Sequence, residues 1–117
     1  MSQPETTVTF DRLKAFIGEA MTKLGLPETD ALTVATLMAE ADLQGSDGHG
    51  VSRLSQYARR IKAGGFNVRP NIQVVHEHAG TAVLNGDNGM GHLVMKRAAE
   101  MAIEKARGIS VVTSVMT

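Results

Sequence analysis

The chain has no cysteine and no tryptophan, and aromatic residues make up only 3% of its 117 positions. Without cysteine there is no disulfide framework, no thiolate nucleophile and no Cys-based zinc site. There is also no excess charge of either sign. Twelve Lys and Arg balance twelve Asp and Glu, so nothing in the totals favours binding to nucleic acid or to a membrane surface. No apolar run reaches the roughly 18 residues of a spanning helix. The start, MSQPETTVTF, has neither a basic region nor an apolar stretch, so no secretory signal is expected and the reading is cytoplasmic. What is present, 43% apolar and 21% charged residues, is the composition of a soluble globular protein. The length allows one modest domain with a core, and is short for an enzyme that must hold a large cofactor as well as a substrate.

Periodicity divides the chain into an N-terminal helical region and a smaller α/β portion. Residues 1 to 8 read as a flexible start. Thr9 is a candidate N-cap, followed at helical spacing by Leu13, Phe16, Ile17, Ala20 and Leu24, with Gly25 as the stop. Pro27 opens a second helix, with Glu28 and Asp30 in its first turn and a stripe of Ala31, Val34, Ala35, Met38 and Ala41. The minimal connector predicts a helical hairpin. The second helix should end near residues 43–45, and a third should run from Val51 to Ala63, closed by Gly64 and Gly65. Residues 9–70 form the helical region. In the 71–117 portion, Ile72–His76 and Thr81–Leu84 predict a β-hairpin. A fourth helix covers about His92 to Arg107, with Val94, Ala98, Met101, Ala102 and the Lys105 stem on one side. Ile109 to Val115 predicts a last strand.

The stretch ADLQGSDGHGVSRL, residues 41–54, is richer in glycine and charge than a turn requires. If the third helix is taken back to His49, then His49, Arg53 and Tyr57 recur at i, i+4 and i+8 and stack along one face. An arginine beside imidazole and phenol donors makes a carboxylate-binding wall, because the guanidinium fork matches a carboxylate at two points. The plainer alternative is a solvated Arg53, a His49 that satisfies a helix end and a half-buried Tyr57.

Residues 51–70 carry Arg53, Arg59, Arg60, Lys62 and Arg69 without an acid, while residues 24–52 carry only acids among their charged groups. The favoured reading is a solvated basic helix face paired with the acidic segment. A DNA-reading helix is disfavoured by Gly45, Gly48 and Gly50 in the turn before it and by the lack of a recognition signature. NGDNGMGH, residues 85–92, precedes a helix start. It could receive an anion on exposed N–H groups, or Asp87 and Asn88 could form an Asx-type turn. It is not a dinucleotide fingerprint. His49, His76, His78 and His92 lack the spacing of a metal site.

The segments ADLQGSDGHGVSRLSQYARRIKAGGFNVRP (41–70) and TAVLNGDNGMGHLVMKRAAEMAIEKARGI (81–109), with the helix pair before them, resemble the malate/L-lactate dehydrogenase family. This family is distinct from the common Rossmann-type enzymes and includes ureidoglycolate, sulfolactate and 2,3-diketogulonate oxidoreductases and cyclic-imine reductases. The resemblance implies hydride transfer between NAD or NADP and C2 of a small 2-oxo or 2-hydroxy acid, by a protein that is a homodimer at full length. By the same resemblance His49 falls on an active-site histidine, Arg53 on the arginine that holds the substrate carboxylate, and Tyr57 on a pocket tyrosine. No cofactor-binding residue and no metal ligand is assigned. Gly48 stands where the family usually has serine, and Val115 and Met116 stand where it has arginine and asparagine before a further histidine. The dinucleotide-binding domain has no counterpart in this sequence. The expectation is therefore the N-terminal part of such an oxidoreductase, inactive alone. The alternative is a non-catalytic helical domain that binds a small carboxylate or a protein partner.

Overall fold

Thr9 caps the first helix, α1 (Phe10–Lys23), as expected: its Oγ1 accepts from the Arg12 N–H at 3.3 Å. The computed structural model describes residues 6–108, so the predicted strand 109–115 and most of the N-terminal segment lie outside the described residues. At the other end of α1 the Gly25 N–H donates to the Thr22 carbonyl and the Leu26 N–H to that of Met21. This is a Schellman closure, which needs the left-handed backbone that Gly25 adopts with φ 110°. The second helix, α2 (Glu28–Leu43), ends the same way, through Gly45 to Asp42 and Ser46 to Ala41.

The chain forms two compact units, Met1–Arg59 and Arg60–Thr117. The first is built on the α1/α2 hairpin. Ile17 and Met21 of α1 are fully buried, as are Val34, Ala35 and Met38 of α2. One predicted core residue is wrong: Phe16 is 58% exposed, and Met21 takes the interior place. The physical reason is visible at Gly18. A Cβ built there would lie 3.6 Å from the Ala35 Cβ, so the helices approach closely at this small pair. That contact centres the Ile17–Met21 face of α1 on α2 and turns Phe16 outward.

The second unit contains the end of helix α3 (Leu54–Lys62), a hairpin of β1 (Gln73–Glu77) with β2 (Ala82–Asn85), and helix α4 (Gly91–Ala106). Both strands start and stop one residue later than their β-branched runs suggest. They pair antiparallel as Gln73↔Asn85, Val74↔Leu84, His76↔Val83 and Glu77↔Ala82, with a bulge between Val74 and His76. The extra residue, Val75, is 63% exposed. Met90, Leu93, Val94 and Ala98 bury the inner side of α4. Among the described residues no helix is long and apolar enough to cross a membrane.

Candidate carboxylate-binding site

Beyond α2 the backbone makes two short 3₁₀ turns, Asp47–His49 and Val51–Arg53, and the second runs directly into α3. Gly50 separates them with φ −99° and ψ −146°. The predicted α-helix from Val51 therefore begins as a 3₁₀ turn. The proposed stacking of His49, Arg53 and Tyr57 also changes, because His49 lies on the far side of Gly50, whose backbone is not helical. Helical spacing relates only Arg53 and Tyr57.

Arg53 folds back over the turn that carries His49. Its Nε donates to the Gly48 carbonyl at 2.6 Å and its Nη1 to the Gln56 Oε1 at 2.8 Å. Both acceptors are neutral. None of the ion pairs among the described residues includes Arg53. The expected pairing of this basic residue with acid is replaced by a carbonyl and an amide, which fix its direction and leave its charge intact. These bonds use two of a guanidinium's five N–H groups, and the residue is exposed. The His49 side chain is exposed and Tyr57 is half-buried.

Sequence reasoning missed the group that holds this turn together. The Asp42 carboxylate Oδ2 accepts from the Val51 N–H at 2.8 Å. A Cβ at Gly50 would collide with the same carboxylate. A signal was available: Asp42 sits in the last turn of α2, where the helix dipole disfavours an acid, so an acid there calls for another partner.

The glycine-rich loop 85–92 proves to be a structural clamp within the second unit. Asp87 and Asn88 are left-handed, with φ 51° and 55°. The Asn85 Oδ1 accepts from the Asp87 N–H at 2.8 Å, the Asx-type arrangement. Asp87 Oδ2 accepts from Asn67 Nδ2 and from the Asn71 N–H, both at 2.9 Å, and Asn88 Nδ2 donates to the Gly65 carbonyl at 3.2 Å. The Asp87 and Asn88 side chains are thus spent within the second unit, and the carboxylate at the centre of the loop works against a dinucleotide phosphate there. Arg60 is likewise occupied, lying 4.3 Å from the Phe66 ring centre. His76 and His78 have ring centres 5.6 Å apart. Among the described residues no group of three or more His, Asp or Glu is placed to hold a metal ion.

The fold of this segment is shared with dehydrogenases of known structure. Malate dehydrogenase of Pyrococcus horikoshii superposes with a TM-score of 0.84 at 44% identity, over 88% of this chain and 30% of that one. Sulfolactate dehydrogenase of Methanocaldococcus jannaschii also gives 0.84, at 39% identity over 87% and 30%. In sequence, ureidoglycolate dehydrogenase (NAD(+)) of Escherichia coli is 33% identical over 90% of this chain and 31% of its own length. The family model described as malate/L-lactate dehydrogenase matches residues 8–116, and the chain belongs to that family. It spans about 29% of the length of the curated malate dehydrogenases it matches.

Proposed function

We propose that this chain supplies the substrate-side part of an NAD(P)-dependent oxidoreductase acting on small 2-hydroxy and 2-oxo acids. Arg53 holds the substrate carboxylate, Tyr57 lines the pocket, and His49 is an active-site histidine of this wall. The observation that carries the reading is the state of Arg53, oriented by neutral acceptors and without an acid partner among the described residues. A cation fixed in this way meets an incoming carboxylate with full charge and little reorganisation. The names of the similar proteins agree, since malate, sulfolactate and ureidoglycolate are all 2-hydroxy acids.

The nicotinamide cofactor, implied by the dehydrogenase relatives, carries the hydride in the whole enzyme, and no residue of this chain is assigned to it. The chain's own contribution is positional. Pinning the carboxylate orients C2, and a proton donor on the same wall can serve the substrate oxygen. The 117-residue chain alone is accordingly proposed to bind acids without turning them over.

The test pairs calorimetric titration with pyruvate, malate and ureidoglycolate with an NADH and NADPH oxidation assay over a panel of 2-oxo acids. The expected result is binding that Arg53→Ala abolishes, with no turnover. Absence of heat with every acid would overturn the carboxylate site, and turnover by the chain alone would overturn its inactivity.

A further inference from the structure

The helical run that begins at Val51 has no cap of its own. Gly50 occupies the N-cap position and has no side chain to accept from the first N–H groups. The cap comes from another element: Asp42, in the last turn of α2, reaches nine residues ahead and accepts from the Val51 N–H at 2.8 Å. Its negative charge thereby meets the positive end of the following helical run instead of the negative end of its own. Gly50 is buried, and a Cβ there would occupy the space of the Asp42 carboxylate. Its φ of −99° lies outside the left-handed region, and the obstacle a side chain would meet here is the Asp42 carboxylate itself.

The same short turn fixes the arginine. Arg53 ends the 3₁₀ turn that Val51 opens, and its Nε is bonded to Gly48, within the loop that Asp42 closes. The Arg53 N–H itself donates to the Gly50 carbonyl at 3.0 Å. Displacing residues 50 and 51 therefore moves the backbone on which the guanidinium is mounted and the carbonyl that aims it.

We infer that Asp42 is a positioning residue for the carboxylate site: by capping Val51 across the glycine at 50 it sets the direction of Arg53. The inference rests on the reading of Arg53 as the carboxylate-binding group. The role belongs chiefly to the acceptor oxygen: an asparagine Oδ1 can take the same hydrogen bond and gives up only the smaller attraction of the charge to the helix start.

Two readouts on the ¹⁵N-labelled full chain separate this role from the function it serves: solvent exchange of the Arg53 Nε–H, and oxalate affinity. Asp42→Ala should speed the exchange and weaken oxalate, each by about tenfold, the scale of one hydrogen bond to a charged group. Asp42→Asn should keep both within about threefold of the starting protein. Gly50→Ala should reproduce the loss by expelling the carboxylate. The Asp42→Ala/Gly50→Ala double variant should be no worse than Asp42→Ala, because the space is then free. Unchanged Arg53 exchange in Gly50→Ala, or a double variant with fully additive losses, would overturn the inference. If Asp42→Ala does not fold, the contrast between Asp42→Asn and Gly50→Ala decides by the same criterion. A chain that binds neither oxalate nor the acids named above, yet shows the predicted exchange pattern, supports the positioning of Arg53 and overturns the function proposed above.

Discussion

Lys105 of α4 places its ammonium 2.9 Å from the Glu77 carboxylate and 2.7 Å from the His78 carbonyl, fastening the helix to the end of β1. The lysine stem is largely covered, with 16% of the side chain exposed, while the glutamate faces solvent. The hydrogen bond from Lys105 and then its charge hold the Glu77 carboxyl below the ordinary value of 4.5.

The sign of the pH dependence follows from that direction. Glu77 is a stronger acid folded than unfolded, so the pair's contribution is present above the unfolded pKa and fades as pH falls below about 4.5 through the folded one. NMR titration of the Glu77 carboxyl should give a midpoint below 4.5 that moves back up in Lys105→Met. An unmoved midpoint would show that the contact does not persist in solution.

Arg53→Lys should keep a positive charge and still fail at recognition, since lysine has neither the fork for a carboxylate nor an Nε–H for Gly48. Oxalate binding by the chain should drop about tenfold or more. In the whole enzyme the expected outcome is kcat/KM for 2-oxo acids lower by about 10- to 100-fold at unchanged dinucleotide affinity. Equal values for both proteins would remove Arg53 from the substrate.

Gly48→Ser should be tolerated. A Cβ at Gly48 meets nothing within 4 Å, and the carbonyl that holds Arg53 belongs to the backbone. Urea unfolding is expected to shift by no more than about 0.5 kcal/mol. A larger loss would mean that glycine is required there for a reason other than space.

Asp87→Ala should destabilise by about 1–2 kcal/mol, because it removes the acceptor for Asn67 and Asn71 and leaves an alanine at φ 51°. Asp87→Gly loses the same bonds without the backbone penalty and should lie between the two. Denaturant midpoints of the three proteins check the order.

Local rules were enough for most of the helix ends. Thr9, Gly25, Gly45 and Gly64 mark their ends because caps and left-handed closures act within a few residues, and the stripe of Val34, Ala35 and Met38 names the buried side of α2 in advance. Family membership was also legible, since it rests on the residues themselves. What depended on tertiary structure were the contacts between positions that no local period relates. The close approach of Gly18 and Ala35 chose Met21 over Phe16 for the interior. The bulge at Val75 set the strand register. Asn67 and Asp87 made a clamp of a loop whose spacing also suited an anion. At the site, sequence proposed His49, Arg53 and Tyr57 on one helical face. The folded chain instead broke the helix at Gly50, let Asp42 cap Val51 through the missing side chain, and aimed Arg53 with a carbonyl. A sequence pattern places residues along one element, whereas a hydrogen bond across nine residues exists only once two elements have been brought together.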